Sequence, residues 1–128
     1  MPDAAITVPA LGRRFVEALA AKDPEALGAV LHPEIDFRAL TPNRFWEAHD
    51  PDAVLEIVLG VWFPPHDELD ELVLLDTDAF SDREQVRFRF SGHNRDGPMI
   101  VEQQAYLTGR DGLIDWMRIV CSGQRAPP

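Results

Sequence analysis

The residues best suited to chemistry in this sequence lie between Val101 and Leu107, a segment that reads V-E-Q-Q-A-Y-L. Its surroundings are typical of a β-strand, yet Glu102, Gln103 and Gln104 follow one another in its middle. Because neighbouring side chains of a strand point to opposite faces, at least one of these three should point into a core. A carboxylate in an apolar cavity is suited to general acid or base catalysis, and an amide can donate a hydrogen bond to a substrate oxygen.

Other kinds of site find little support in the sequence. The histidines at positions 32, 49, 66 and 93 form no H-x-H, H-x-x-x-H or H-E-x-x-H spacing, so no metal site is predicted. Cys121 has no base nearby in the sequence, which favours an inert buried thiol. The chain contains no G-x-G-x-x-G, G-x-x-x-x-G-K-[ST] or G-x-S-x-G motif. We therefore expect no nucleotide cofactor and no serine-hydrolase chemistry.

Three helices are predicted in the first half of the chain. The first opens near Pro9, and its apolar residues recur at about 3.6-residue intervals from Leu11 to Leu19. Asp23-Pro24 and Asp50-Pro51 each combine an N-cap residue with proline at the first helical position. They start a short second helix, which should stop at His32-Pro33, and a third helix over residues 52–63.

Strands dominate the rest of the chain. We predict one strand over residues 35–40 and four more over residues 69–75, 85–90, 99–108 and 113–121. The segments N-R-D-G and G-R-D-G between the last three supply hairpin turns. Helices followed by an antiparallel meander indicate an α+β fold, in which helices pack on one face of a curved sheet.

Length and charge narrow the range of partners. A chain of 128 residues with a net charge of -10 indicates one domain over residues 1–128, with flexible ends at 1–8 and 124–128. The negative charge disfavours nucleic acid and anionic membranes, and no apolar run approaches the length of a membrane span. One cysteine and the lack of a signal-peptide pattern lead us to expect a soluble, cytoplasmic protein.

The order of these elements resembles the nuclear-transport-factor-2-like (NTF2-like) superfamily, and within it the SnoaL-like branch. The resemblance runs from about Pro9 to Gly123 and is carried by R-R-F-V-E-A-L-A-A-K-D, P-E-A-L-G-A-V-L-H-P, I-D-F-R-A-L and D-G-L-I-D-W-M-R-I-V. It implies a cone-shaped α+β barrel that encloses a pocket and often forms a homodimer through the outer face of its sheet. The positions that carry catalysis in ketosteroid isomerase match Phe15, Ala39 and Gln104 here, so that mechanism is not carried over.

The resemblance implies that Gln104 and Tyr106 face the pocket, and period 2 then adds Ile100 and Glu102. Gln103, Ala105 and Leu107 would face outward. In this interpretation Glu102 is the acid or base, and Gln104 and Tyr106 orient the substrate. The alternative is structural, with Glu102 paired to an arginine across the sheet.

A mostly apolar pocket wall is expected around this row. Its predicted members are Phe15, Phe37, Phe88, Phe90, Ile100, Met117 and Ile119. Arg38 points away from the core by strand alternation, but a bulge near Thr41-Pro42 would turn it inward to bind an anionic group. Trp46, placed in a loop before the third helix, is either an aromatic rim of the pocket or a plug that seals the core.

The leading hypothesis is a cofactor-free SnoaL-like enzyme that performs acid–base chemistry on a small apolar organic molecule. Cyclisation, isomerisation and dehydration are reactions of this kind. The alternatives are a binding protein that performs no reaction and a dimeric structural module.

Overall fold

The second and third helices begin where the sequence predicts them. The computed structural model describes residues 10–128, so the predicted flexible segment 1–8 and the helix start at Pro9 lie outside the described residues. The helices are α1 (Ala10–Ala20), α2 (Pro24–Gly28) and α3 (Pro51–Ile57), and α3 continues into a π-helical turn, Val58–Trp62. Asp23 and Asp50 cap α2 and α3 by accepting hydrogen bonds from backbone N–H groups of the first turn.

A single six-stranded sheet forms the rest of the molecule. Its strands are β1 (Leu31–Thr41), β2 (Arg44–Ala48), β3 (Glu68–Phe80), β4 (Arg83–Asn94), β5 (Gly97–Arg110) and β6 (Leu113–Cys121). They lie in the order β2-β1-β6-β5-β4-β3, and β1 and β6 are parallel while every other neighbouring pair is antiparallel. Helix α1 packs on β3 and β4, and α3 packs on β1 and β2. The predicted α+β cone of the NTF2-like type is confirmed.

Several element boundaries differ from the sequence predictions, and β2 was not predicted. The second helix ends at Gly28, and β1 already begins at Leu31, because Val30 accepts a backbone hydrogen bond from Ile114 of β6. Trp46 lies in strand β2, not in a loop, since residues 44–48 pair with the end of β1. Pro33 is tolerated within β1 because the β1–β6 register is irregular between Leu31 and Asp36.

The inner face of the sheet follows the predicted alternation in three strands. Phe37 and Ala39 of β1, Phe88 of β4 and Met117 and Ile119 of β6 are all buried, as are their neighbours on the same face. The helices cover this face with Phe15, Val16 and Leu19 of α1 and Val54 of α3. One continuous core results.

Strand β5 has the opposite orientation to the one predicted. Met99, Val101, Gln103, Ala105 and Leu107 are buried on the inner face, whereas Ile100, Glu102, Gln104 and Tyr106 lie on the outer face. The pairing of β5 with β4 shows the same orientation, because Gln103 lies opposite Phe88 and Glu102 lies opposite Arg89. The predicted inward row of Glu102, Gln104 and Tyr106 with Ile100 is therefore wrong.

The β5–β6 hairpin contains a bulge that changes how the faces of the two strands correspond. The turn is formed by Asp111 and Gly112, both with positive φ, as the D-G pair predicts. The register then shifts between Thr108 and Gly109, which places an extra residue in β6. One extra residue in a strand exchanges the side chains that share a face with a given residue of the paired strand. The inward side chains of β5 therefore cannot be found by counting back through the turn from those of β6.

Candidate functional site

A cavity of about 510 Å³ opens at the end of the cone where β5 begins and β6 ends. Its aromatic wall comes from Trp62, at the end of the π-helical turn, and from Phe63. Behind this wall Trp62 contacts Phe37 and Phe63 contacts Phe90, with ring centroids 6.1 and 6.3 Å apart. The remaining lining residues are Thr41, Val61, Pro64, His66, Asp67, Asn94, Arg95, Asp96, Val101, Cys121, Gly123 and Gln124.

The side chain of Gln124 connects three sides of this cavity. Its Nε2 donates to Oδ2 of Asp67 at 3.0 Å and to the backbone carbonyl of Trp62 at 2.9 Å. Its Oε1 accepts from Nδ2 of Asn94 at 2.6 Å. The buried carboxylate of Asp67 is thereby held at the wall.

A histidine and a lysine complete the surroundings of Asp67. Nε2 of His66 lies 3.3 Å from Oδ1 of Asp67, and the His66 side chain is 44% exposed whereas that of Asp67 is 6% exposed. Lys22 donates from Nζ to the backbone carbonyls of Pro64 and Asp67, at 2.7 and 2.5 Å. These two bonds attach the loop between the π-helical turn and β3 to the end of α1.

The C-terminal segment after β6 is part of the cavity wall. Backbone N–H and carbonyl groups of Arg125 bond to those of Ile100, and Ser122 donates to the carbonyl of Glu102. Between them Gly123 adopts a φ of 80°, which turns Gln124 toward the cavity. Backbone hydrogen bonds to Ile100 thus place Arg125, which lies within the predicted flexible end 124–128, against β5.

Gln103 is the polar residue of the inner face nearest this cavity. It lies opposite Cys121 and two positions along β5 from Val101, both of which line the cavity. Its side chain is within an otherwise apolar layer and only 1% of the residue is exposed. Neither its Oε1 nor its Nε2 has a hydrogen-bond partner among the described residues, and the same holds for Nε1 of Trp62.

The predicted catalytic residues lie away from this cavity. Glu102 accepts from Nε and Nη2 of Arg89 at 3.0 and 2.7 Å, which is the ion pair that the structural alternative expected. Gln104 lines a polar groove on the outer face with Asp76 and Arg87. Tyr106 is exposed on the same face, opposite Arg118 of β6.

The predicted pocket wall is divided between core and surface. Phe15, Phe37, Phe88, Phe90, Met117 and Ile119 are buried in the core behind the cavity, and Ile100 lies on the outer face. None of these seven residues lines the cavity.

Arg38 and Trp46 are both held by other contacts. Arg38 points outward, with Nε 3.6 Å from Asp36 and 3.7 Å from Glu47, so no bulge turns it inward. Trp46 packs edge-on against Trp62 and donates from Nε1 to Oγ1 of Thr41 at 2.8 Å. It therefore supports the cavity wall from behind.

The sequence interpretation missed His66, Asp67 and Gln124 as site residues. A signal for Gln103 existed, because it belongs to the same polar run as Glu102 and Gln104. No comparable signal marks His66-Asp67, which reads as an ordinary polar loop before a strand. Burial of Asp67 depends on Gln124, 57 residues away, and such a contact is not visible in local sequence.

Metal and membrane sites find no support in the described part of the chain. Among residues 10–128, no three or more His, Cys, Asp or Glu side chains lie close enough to hold a metal ion. No helix in that range is long and apolar enough to cross a membrane.

Solved structures with the same fold carry several functions. A protein of Rhodopseudomonas palustris that is classed provisionally as an isomerase aligns with a TM-score of 0.74 at 17% identity, over 91% of this chain and 93% of its own. An NTF2-like protein of unknown function from Mesorhizobium loti aligns with a TM-score of 0.69 at 22% identity, over 96% and 98%. An epoxide hydrolase of the LEH-like type from M. tuberculosis aligns with a TM-score of 0.64 at 11% identity, over 88% and 80%.

The chain thus has the NTF2-like fold, and the predicted resemblance to this fold is confirmed. No family model matches the sequence, and no curated protein matches it. Since an isomerase-like protein and an epoxide hydrolase share the fold, the reaction has to be argued from the site.

Proposed function

We propose that the protein binds a small, neutral, mostly apolar molecule that carries a carbonyl group, and that it catalyses a proton transfer on that molecule. The observation that carries this proposal is the side chain of Gln103, buried beside the cavity with both polar atoms unpartnered among the described residues. A buried amide without partners costs about 1–3 kcal/mol of stability. Groups that cost stability in this way are concentrated at functional sites.

The chemistry of the surroundings defines the ligand. Trp62 lines the cavity, and Gln103 lies next to its lining residues Val101 and Cys121. Each therefore offers an N–H donor, unpartnered among the described residues, to a ligand oxygen that reaches the wall. Donors in a dry site stabilise negative charge that develops on a carbonyl oxygen when a neighbouring C–H bond loses its proton. The carboxylates of Asp67 and Asp96 and the guanidinium of Arg95 all line the cavity, so its charges partly balance and favour a neutral ligand.

Binding should depend on the carbonyl group and on Gln103. We would titrate the protein calorimetrically with 2-tetralone and with tetralin, a hydrocarbon of nearly the same shape that lacks the oxygen. Gln103→Met should weaken 2-tetralone binding about tenfold, which corresponds to the roughly 1.4 kcal/mol of a hydrogen bond, and should leave tetralin binding unchanged.

The matched control is Gln104→Met, which changes the same residue type at the next position but on the outer face. It should leave the binding of both ligands unchanged. Equal affinity of wild type and Gln103→Met for 2-tetralone would contradict the proposal.

A binding protein that performs no reaction is the second candidate. This second candidate is favoured by the hydrogen bond from Gln124 to Asp67. That bond is explained by its role in anchoring the C-terminal segment, which requires no catalytic role for Asp67. Deuterium incorporation from D₂O separates the two candidates, since a binding protein would return every bound ketone with no more deuterium than the uncatalysed reaction gives.

We also propose that the protein works as a cytoplasmic homodimer through the outer face of the sheet. Leu40, Phe45 and Val120 are 52%, 54% and 60% exposed and lie side by side across β2, β1 and β6. Three neighbouring exposed apolar side chains suit an interface, and the free thiol of Cys121 suits a reducing compartment.

A further inference from the structure

We propose that His66 is the base that moves the proton in this reaction, and that the buried carboxylate of Asp67 positions its imidazole. The inference rests on the proposed function and adds to it the residue that accepts the proton and the class of substrate. The substrates would be ketones or aldehydes with a hydrogen on the carbon next to the carbonyl.

Comparison of the four histidines singles out His66. Each of them lies near a carboxylate: His32 near Asp111, His49 near Glu47, His66 near Asp67 and His93 near Asp70. In the pairs of His49 and His93 both side chains are well exposed, and in the pair of His32 the histidine is buried while the carboxylate is exposed. Only the pair of His66 combines an accessible imidazole with a buried carboxylate, and only this pair lines the cavity.

The proximity of the Asp67 carboxylate favours one tautomer of His66. Oδ1 of Asp67 lies 3.3 Å from Nε2, so the carboxylate favours a proton on that nitrogen. The lone pair is then on Nδ1, which is the nitrogen that can accept a proton from a ligand. A carboxylate that fixes the tautomer and orientation of a histidine is a common arrangement for general bases.

Asp67 is itself held firmly enough for this task. Its second oxygen accepts from Gln124, whose own oxygen accepts from Asn94. The backbone carbonyl of Asp67 accepts from Lys22. Gln124 therefore holds the carboxylate directly and is itself held by Asn94 of β4, while Lys22, just after α1, holds the backbone of Asp67.

The chemical step is a proton exchange within one substrate. Nδ1 of His66 takes the proton, the C–H bond breaks, and its electron pair forms a carbon–carbon double bond as the carbonyl π electrons move to oxygen. Gln103 and Trp62 donate hydrogen bonds to that oxygen. The imidazolium then returns its proton to the same carbon or, in a conjugated substrate, to a more distant one, so no further reactant is consumed.

The first test needs no ligand. Long-range ¹H–¹⁵N spectra of the free protein should show His66 with its proton on Nε2, and Asp67→Asn should shift the population toward the other tautomer. His49 in the same samples is the internal reference and should not respond to Asp67→Asn. A proton on Nδ1 of His66 in the wild type would overturn the proposal.

The second test follows deuterium incorporation into 2-tetralone in D₂O by mass spectrometry. His66→Gln should lower the protein-dependent exchange rate about 100-fold, as expected for loss of a general base, while calorimetry shows unchanged 2-tetralone affinity. Asp67→Asn should lower the exchange rate about tenfold, again without change in affinity. The matched control His49→Gln removes a histidine of a surface pair and should exchange like the wild type.

The outcomes distinguish this inference from the proposed function. If 2-tetralone binds in a Gln103-dependent manner but His66→Gln exchanges as fast as the wild type, the role of His66 is wrong and the binding function stands. If 2-tetralone does not bind at all, both proposals fail. A lowered exchange rate that merely follows lowered affinity would also contradict the role of His66 as the base.

Discussion

The cost of burying the amide of Gln103, unpartnered within residues 10–128, should be measurable in the free energy of unfolding. Gln103→Met replaces an unpartnered amide by an apolar side chain of similar length, so the free energy of unfolding should rise by about 1–2 kcal/mol. Urea denaturation measures this, and Gln104→Met on the outer face should change the value by less than about 0.5 kcal/mol. A loss of stability in Gln103→Met would show that the amide is satisfied in the folded protein.

Removal of the Glu102 charge, by contrast, should lower the free energy of unfolding slightly. Glu102→Gln should cost at most about 1 kcal/mol in unfolding free energy, because both partners are more than a third exposed and the pair is screened by solvent. It should leave deuterium exchange into 2-tetralone at the wild-type rate. Loss of exchange in Glu102→Gln would restore the original assignment of Glu102 as the acid or base.

At the scale of elements, the C-terminal segment determines the shape of the cavity. A Cβ at position 123 would lie 2.9 Å from Cγ of Pro42, and the backbone there has a φ of 80°. Gly123→Ala should therefore destabilise the protein by more than the roughly 1–2 kcal/mol of left-handed strain alone. Amide hydrogen exchange at Ile100 and Arg125 should become faster, since their mutual hydrogen bonds depend on this turn.

Gly112→Ala is the control for this substitution. Gly112 has a φ of 76° in the β5–β6 turn, but a Cβ there would meet no other atom within 4 Å. It should show the strain without the clash and leave exchange at Ile100 unchanged. Equal effects of the two substitutions would mean that Pro42 yields and that the segment is not fixed by this contact.

The elements also show where sequence reasoning succeeds and where it stops. Local signals sufficed for the caps at Asp23 and Asp50 and for the Asp111-Gly112 turn, because each depends on neighbouring residues. The predicted facing of β5 was wrong because it was taken from the family resemblance, and an alignment that is off by one residue exchanges the two faces of a strand. One residue of the polar run does point into the core, as expected, but that residue is Gln103.

At the scale of the whole molecule, the exposed apolar side chains on the outer face of the sheet predict a homodimer. A homodimer should have twice the 14.4 kDa mass of the chain in sedimentation equilibrium, and Val120→Glu should give monomers because it places a charge among exposed apolar side chains. Phe80→Glu, at an exposed apolar position on β3 away from this patch, is the control. A wild-type mass of one chain would refute the dimer.

The central claim is that Gln103 binds the carbonyl group of a ligand in the cavity. The most direct measurement is a ¹H–¹⁵N spectrum of the side-chain amides during titration with 2-tetralone and, separately, with tetralin. The Gln103 NH₂ signals should move downfield in proportion to bound 2-tetralone and respond far less to tetralin, while those of Gln104 stay in place. Saturating 2-tetralone that leaves the Gln103 signals unmoved would contradict the claim.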